Sequence, residues 1–279
     1  MTVPEVCLEA PPWSRRALRR LGVSMRDGVP PPVSAPTYDD VVLWYDDLAT
    51  AVNEAVRSCA WQRLLGDRAV EARFTSRAKT VDTLTQELVR HPTLPLADVQ
   101  DIAGVRFEAE MTIAEQYVVV GEMVRLFEPH VAAVKDLRED AHSGYRAVHV
   151  WLRPPAGRIE VQVRTHVQGA WANAYEALAE IAGREIRYGD DARDSELEVL
   201  VTGMHRLSLV QGVDLEESRV ELIKREAVAE DGFVYPDLDL MKEVQRVAER
   251  TYTEDLQRLE TAFRHARERG VPNVDELRH

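Results

Sequence analysis

Two carboxylates in the middle of the chain could hold a divalent metal ion. Asp101 stands just before an apolar run that predicts a β-strand, and Glu160 lies inside a second predicted strand, 159–164. Alternation in that strand puts Ile159, Val161 and Val163 on one face and Glu160 on the other. One or two carboxylates suffice for Mg²⁺ when phosphate oxygens and water complete the octahedron. The pair is consistent with Mg²⁺ held against a polyphosphate, or with edge charges of a solvated sheet.

Basic side chains at predicted strand ends and strand–helix junctions could bind such a polyphosphate. They are Arg77, Lys79, Arg106, Lys135, Arg146 and Arg164. Guanidinium groups also stack flat on a base, whereas a lysine acts as a point charge. Each of these residues alone is commonly a surface charge, but their shared positions together favour a site for phosphates and a base.

An aromatic ring and a histidine accompany these charges. Gly144 precedes Tyr145, and a glycine lets another backbone or a ligand come close. The ring of Tyr145 could therefore stack on a base, or it could pack at a strand start. His149 follows four residues later, on the same face of an extended chain. Its spacing is compatible with a ligand contact and with a structural role.

The elements that must position these residues follow from hydrophobic periodicity. Strands are predicted at Arg73–Lys79, Ala103–Glu110, Val131–Val134, Ala147–Leu152 and Ile159–Arg164. Helices are predicted at Trp13–Gly22, ending at its glycine, Tyr38–Leu65, Val81–Arg90, Ile113–Phe127 and Val167–Ala182, and almost throughout after Asp190. Breaks in that last region are predicted at 211–213 and around 232–236. The mixture predicts an α/β (α+β) sandwich with a helical C-terminal third.

Charge and composition exclude some classes of protein. The formal net charge is −13, and residues 166–279 hold 25 Asp/Glu against 15 Lys/Arg. Non-specific coating of nucleic acid needs clustered cations, so this balance argues against it but leaves room for a local basic groove. Cys7 and Cys59 lack the spacing of a zinc site or disulfide framework, which fits a reducing cytosol. No apolar run approaches the ~20 residues that span a bilayer. We expect a soluble, cytoplasmic protein without a membrane partner.

With these residues assembled, the sequence resembles the synthetase domain of the RelA/SpoT family, the ATP-dependent pyrophosphokinases of the stringent response. The resemblance runs from about Arg77 to Tyr188 and rests on five motifs in the family order. They are Arg77-x-Lys79, Asp101-Ile102-x-Gly104-x-Arg106, Val134-Lys135-Asp136, Gly144-Tyr145-Arg146-x-x-His149 and Glu160-x-Gln162-x-Arg164-Thr165. It implies a nucleotidyltransferase-like mixed sheet flanked by helices. We expect an irregular arm with a short basic helix at 1–36, a synthetase domain at 37–190 and a helical extension at 191–279.

The resemblance also implies a reaction and residue roles. Family members move the β,γ-diphosphate of ATP as a unit to a ribose 3′-OH. The ATP-binding residues implied are Arg77 and Arg106 around the adenine, and Lys79, Lys135 and His149 facing the phosphates. The acceptor-binding residues implied are Tyr145, stacked on the base, with Arg146 and Arg164. The catalytic residues implied are Asp101, which would hold Mg²⁺, and Glu160, which would complete the metal site or draw the proton from the 3′-OH.

Three positions depart from the family pattern. Ser143 stands where a guanine-reading Asn is usual, and Tyr175-Glu176 replaces the usual Glu-His pair. Both departures bear on guanine specificity. Glu87 stands where the family has a Lys, which predicts a weaker grip on phosphates.

These departures leave three functions to distinguish. The leading hypothesis is a synthetase acting on GDP or GTP to make a (p)ppGpp-type alarmone. The rival is a toxin that pyrophosphorylates the 3′-CCA end of tRNA, which the altered acceptor positions and the basic segment Arg15–Arg20 favour. Net acidity and Tyr145 favour the free nucleotide. A third hypothesis is an inactive nucleotide-sensing module. The C-terminal helices could pack on the catalytic domain, form a homo-oligomer or receive an antitoxin.

Overall fold

A computed structural model describes residues 3–138, 143–230 and 233–269. The chain divides into two compact units. The first unit comprises Met1–Ala109, Tyr117–Asp136 and Val148–Val163, and the second comprises Glu110–Gln116, Leu137–Ala147 and Arg164–His279. The three-part division expected from the sequence stays a prediction.

A five-stranded sheet dominates the first unit. Its strands are β1 (Arg73–Ala78), β2 (Ala103–Ala109), β3 (Val131–Asp136), β4 (Val148–Leu152) and β5 (Ile159–Thr165). Their order across the sheet is β1-β2-β5-β4-β3, with β1/β2, β3/β4 and β4/β5 antiparallel. Each predicted strand is present within a few residues of its expected bounds. The mixed sheet with flanking helices confirms the predicted fold class.

Alternation along the strands separates a buried apolar side from a polar side. Val105, Phe107 and Val161 are fully buried. Helix α3 (Tyr38–Arg57) packs on β1 and β2 and begins with a capping box between Thr37 and Asp40. Burial of these large apolar side chains fixes the strand register, because a shift of one residue would turn every one of them to the other face. The polar side chains are thereby fixed as well.

Smaller helices complete the first unit. They are α1 (Glu5–Leu8), α2 (Arg15–Asp27), α4 (Gln62–Leu65), α5 (Val81–Arg90) and most of α6 (Ile113–Phe127). The prediction that α2 ends at Gly22 was wrong, since the helix continues to Asp27 and ends at Gly28, whose φ is +65°. A Cβ on Gly22 would lie 2.9 Å from Cβ of Leu96. Gly22 is therefore required for close packing and does not end the helix.

The second unit is mainly helical. Its helices are α7 (His166–Ala182), α8 (Ser195–Arg206), α9 (Val213–Glu230) and α10 (Leu238–Arg269). The break predicted at 211–213 was wrong, because a π-helical segment, Leu207–Gly212, joins α8 to α9. A Cβ on Gly212 would lie 3.1 Å from the Tyr252 hydroxyl, so this glycine also serves packing. The second predicted break is observed at 233–237; Gly232 and residues 270–279 lie outside the described residues.

Within residues 3–138, 143–230 and 233–269, none of the helices has both the length and the apolar character that a bilayer crossing demands.

Both Cys7 and Cys59 are free thiols. Burial raises the pKa of the Cys7 thiol to about 11, so its reactive thiolate form is disfavoured at neutral pH.

Candidate functional site

The predicted ATP-binding arginines share one face of the sheet. In the β1/β2 pair, Arg77 lies opposite Gly104 and Thr75 lies opposite Arg106. Positions two apart on a strand point the same way, so Arg77 and Arg106 are on the same side. Arg77 is exposed and Arg106 is half-buried. Gly104, opposite Arg77, carries no side chain on this face.

The central strands bring the next group of predicted residues together. Lys135 lies opposite His149, which in turn lies opposite Gln162 on β5. Trp151 lies opposite Glu160 on the same face, and Lys135 Nζ is 5.3 Å from the centre of the Trp151 ring. Three adjacent strands therefore assemble a polar cluster around one carboxylate.

Glu160 is the centre of that cluster. Its Oε1 lies 2.9 Å from Nδ1 of His149 and accepts from Nε1 of Trp151 at 3.1 Å. Its Oε2 accepts from Nε2 of Gln162 at 2.7 Å. The Glu160 side chain is only 9% exposed. Trp151 and Gln162 were not predicted as site residues, although the shared strand face of Glu160 and Gln162 was a signal for the second.

Burial and hydrogen bonding act in opposite directions on Glu160. Burial alone would raise its pKa, but the charge of His149 and the hydrogen bonds from His149, Gln162 and Trp151 outweigh burial and lower the pKa to about 2. The carboxylate is therefore ionised throughout the neutral range. A group with so low a pKa is a weak proton acceptor, and a good cation ligand.

Lys79 bridges two further carboxylates in the first unit. Its Nζ donates to the two oxygens of Asp101 at 2.9 and 2.7 Å and forms an ion pair with Glu87. The Lys79 side chain is 13% exposed. Burial would lower its pKa, but Asp101 and Glu87 more than compensate and raise it, so the ammonium charge is retained. Glu87, at the position that departs from the family pattern, competes directly for the predicted phosphate-binding lysine.

Asp101 and Glu160 lie at the same end of neighbouring strands. Gln100 Nε2 donates to the carbonyl oxygen of Ile159 at 2.8 Å and to that of Leu152 at 3.3 Å. Asp101 directly follows Gln100, and Glu160 directly follows Ile159. Since β2 and β5 are adjacent in the sheet, the segment carrying Asp101 lies against the start of the strand that carries Glu160.

This donor set fits a hard divalent cation that takes few ligands from the protein. Across residues 3–138, 143–230 and 233–269, no three His, Cys, Asp or Glu side chains form a metal-binding cluster. A carboxylate offers about four acceptor sites. Three donors on Glu160, and Lys79 on Asp101, leave each carboxylate room for a further partner. A cage built from protein alone does not fit these residues, whereas Mg²⁺ completed by phosphate oxygens and water would need only one or two such carboxylates.

The predicted acceptor residues belong to the second unit, where two of them are in contact. Arg164 Nη2 donates to the Tyr145 hydroxyl at 2.8 Å, and the guanidinium carbon lies 5.1 Å from the ring centre. Arg164 is 1% exposed, so the Tyr145 ring contacts a buried cation. Arg146 is also buried and forms an ion pair with Glu216 of α9. Glu216 was not predicted, because no local pattern signals a partner 70 residues further along the chain.

Tyr175, at the second departure from the family pattern, belongs to the helical core. Its ring stacks on Trp171 with centroids 4.6 Å apart, and its hydroxyl bonds Nε2 of His205 at 2.8 Å and donates to the Ile186 carbonyl at 3.1 Å. Burial raises the pKa of Tyr175. The tyrosine therefore fills a packing position in this chain.

Comparisons with known proteins identify the family of this chain. A family model described as "Region found in RelA / SpoT proteins" matches residues 76–180. The uncharacterized protein Rv1366 of Mycobacterium tuberculosis is 46% identical over 217 residues, which cover 78% of this chain and 76% of that protein. The chain belongs to the RelA/SpoT family. A Mycobacterium bovis protein, Mb1401, has the same identity and coverage.

Solved structures show that this RelA/SpoT chain has the family's synthetase fold. A GTP pyrophosphokinase family protein from Streptococcus pneumoniae matches with a TM-score of 0.54 and 19% identity, over 71% of this chain and 98% of that one. Small alarmone synthetase 1 from Bacillus subtilis, bound to its product pppGpp, matches with a TM-score of 0.52 and 20% identity, over 68% and 98%. The fold is therefore of the RelA/SpoT pyrophosphokinase type.

Proposed function

We propose that this protein is an ATP-dependent pyrophosphokinase that moves the β,γ-diphosphate of ATP to the ribose 3′-OH of GDP or GTP. The observation that supports this most strongly is the buried, ionised Glu160, held by three donors near the strand end where Asp101 also lies. Such a carboxylate, on a strand face that also carries Lys135 and His149, suits the transfer of a charged phosphate group.

In this proposal the first unit binds ATP. Arg77 and Arg106 enclose the adenine, and Lys79, Lys135 and His149 face the phosphates. Asp101 and Glu160 would hold Mg²⁺, which neutralises charge on the phosphate oxygens when bound. The low pKa of Glu160 favours the role of metal ligand over that of proton acceptor. Lys79 already lies between Asp101 and Glu87. The phosphates of ATP therefore compete with these two carboxylates for its ammonium group.

In the second unit, Tyr145 stacks on the acceptor base, and Arg164 holds the ring. A free purine nucleotide is the favoured acceptor. The basic helix that favoured tRNA is partly neutralised, since Arg15 donates to both oxygens of Asp98 at 2.8 and 2.9 Å. The cytoplasmic location, and an antitoxin or homo-oligomer partner, stay predictions.

Incubation with γ-labelled ATP separates the candidate functions. Parallel reactions contain GDP, GTP, ATP or bulk tRNA as acceptor, and products are resolved by thin-layer chromatography and gel electrophoresis. We expect label in GDP or GTP. Label confined to tRNA would support the toxin and contradict a nucleotide acceptor. Label in no acceptor, with ATP still bound, would support the inactive sensing module.

Removing the negative charge at position 87 should strengthen ATP binding. Glu87→Gln frees Lys79 for phosphate and deletes a repulsion worth about 1 kcal/mol near solvent, so the Kd of a non-hydrolysable ATP analogue should fall about fivefold. Glu87→Lys should lower it further. Titration calorimetry measures the change. The exposed Asp82 of the same helix gives a matched control, Asp82→Asn, which should leave the Kd unaltered. Weaker binding by Glu87→Gln would show that Glu87 supports the site.

A further inference from the structure

Three consecutive residues of the predicted acceptor segment contact the helices of the second unit. Ser208, in the π-helical segment, donates its hydroxyl to the Gly144 carbonyl. Tyr145 packs against the helical core of the second unit. Arg146 forms an ion pair with Glu216 of α9, with Nη2 and Oε2 at 2.5 Å. Residues 144–146 lie outside regular secondary structure, and each of them is held by one of these contacts.

The backbone of Gly144 lies directly against an aromatic side chain. Its φ is +75°, which favours glycine, and a Cβ at this position would lie 2.8 Å from Cζ2 of Trp171. Trp171 is itself fixed, because its Nε1 donates to the Met204 carbonyl of α8 at 2.6 Å. Gly144 therefore contacts both the fixed ring of Trp171 and the hydroxyl of Ser208.

The ion pair at the other end of the segment is buried, and its carboxylate has two further hydrogen-bond partners. The Arg146 and Glu216 side chains are 9% and 4% exposed. Glu216 Oε1 also accepts from Thr165 Oγ1 at 2.8 Å and from Gln168 Nε2 at 2.9 Å. A buried charge that loses its partner is strongly unfavourable, so Arg146 has one stable position and the backbone next to it is fixed too.

We propose that Ser208 and Glu216 are positioning residues for the acceptor, which they fix by immobilising the segment that carries Tyr145. This inference rests on the proposed function, because it takes Tyr145 as the ring that stacks on the acceptor base. Stacking rewards a ring already held in its bound orientation, since no side-chain entropy is then lost on binding. The helical extension is on this account a working part of acceptor recognition, beyond packing, oligomerisation or antitoxin binding. Loosening it should weaken acceptor binding and leave ATP binding unchanged.

Two variants test the proposal in the full-length protein. Glu216→Gln removes the charge that holds Arg146 but keeps an oxygen for Thr165 and Gln168, and Ser208→Ala removes one hydroxyl. Glu217→Gln changes the same charge at an exposed neighbouring position and is the control. The first readout is hydrogen–deuterium exchange without nucleotide, in the peptide that covers residues 143–147. The second is the KM for acceptor and for ATP.

We expect both variants, and not the control, to exchange about tenfold faster in this peptide while peptides of α3 stay protected. We expect the KM for acceptor to rise about tenfold and the KM for ATP to stay constant. Unchanged exchange in both variants would overturn the inference, as would faster exchange with an unchanged acceptor KM. If wild-type protein transfers label to no acceptor, the proposed function fails. Exchange then decides whether Ser208 and Glu216 position the segment.

Discussion

Replacing Glu160 by Gln should lower the turnover number by about 10²–10⁴-fold while leaving the fold intact. The substitution is nearly isosteric, so Trp151 can still donate to the side-chain oxygen. It deletes the negative charge that the three donors around Glu160 are arranged to hold. Loss of that charge removes half of the proposed Mg²⁺ site and leaves His149 without its anionic partner. Turnover is measured with saturating ATP and the acceptor that takes label.

A control substitution separates this effect from a general loss of surface charge. Glu54→Gln removes a carboxylate from an exposed position of α3, and turnover there should match wild type. The pH profile adds a second readout. Because the pKa of Glu160 is about 2, its ionisation should cause no fall in the rate between pH 7 and pH 5. Unchanged turnover in Glu160→Gln would contradict the site.

The same carboxylate should make the protein sensitive to acid. The pKa of Glu160 falls from an ordinary 4.5 to about 2 on folding, so the ionised form is favoured in the native state. Its contribution to the free energy of unfolding is complete above pH 4.5 and is lost as the pH falls toward 2. The shift corresponds to about 3 kcal/mol, of which about 2 kcal/mol should be lost by pH 3.

Urea unfolding at several pH values measures this contribution. Other carboxylates also titrate in this range, so the informative quantity is the difference between wild type and Glu160→Gln at each pH. That difference should shrink by about 2 kcal/mol between pH 6 and pH 3. A difference that stays constant over this range would show that Glu160 is not held in its ionised form by the cluster.

The strands and their polar face could be predicted from the sequence because both depend on local alternation. The run 159–164 has apolar residues at every second position, which placed Glu160 and Gln162 on one face, and the structure agrees. The motif spacing also identified the family correctly. Residue roles drawn from the family stay predictions.

Two glycines show where local patterns were misleading. Gly22 and Gly212 both lie where the sequence predicts a helix end, and the chain continues in helical form through each of them. Leu96 comes too close to Gly22 for a Cβ, and Tyr252 would leave only a tight fit for a Cβ on Gly212. Packing against residues distant in sequence cannot be predicted from the residues next to each glycine.

Partners distant in sequence were the other limit. Trp151 as a donor to Glu160, and Glu216 as the partner of Arg146, depend on strand register and on helix packing. The role of Glu87 could be predicted from the sequence only in part. Its departure from the family pattern predicted weaker phosphate binding, but only the structure showed its contact with Lys79. The contacts of Trp151, Glu216 and Glu87 become visible only in the folded protein.

The chemical identity of both products tests the central claim most directly. A reaction of unlabelled ATP with the accepting nucleotide can be followed by phosphorus NMR. Transfer of the β,γ-diphosphate as a unit predicts AMP and a 3′-diphosphorylated acceptor in equal amounts, with both formed about 10²–10⁴-fold more slowly by Glu160→Gln. Formation of ADP, or of free pyrophosphate without modified acceptor, would contradict the account.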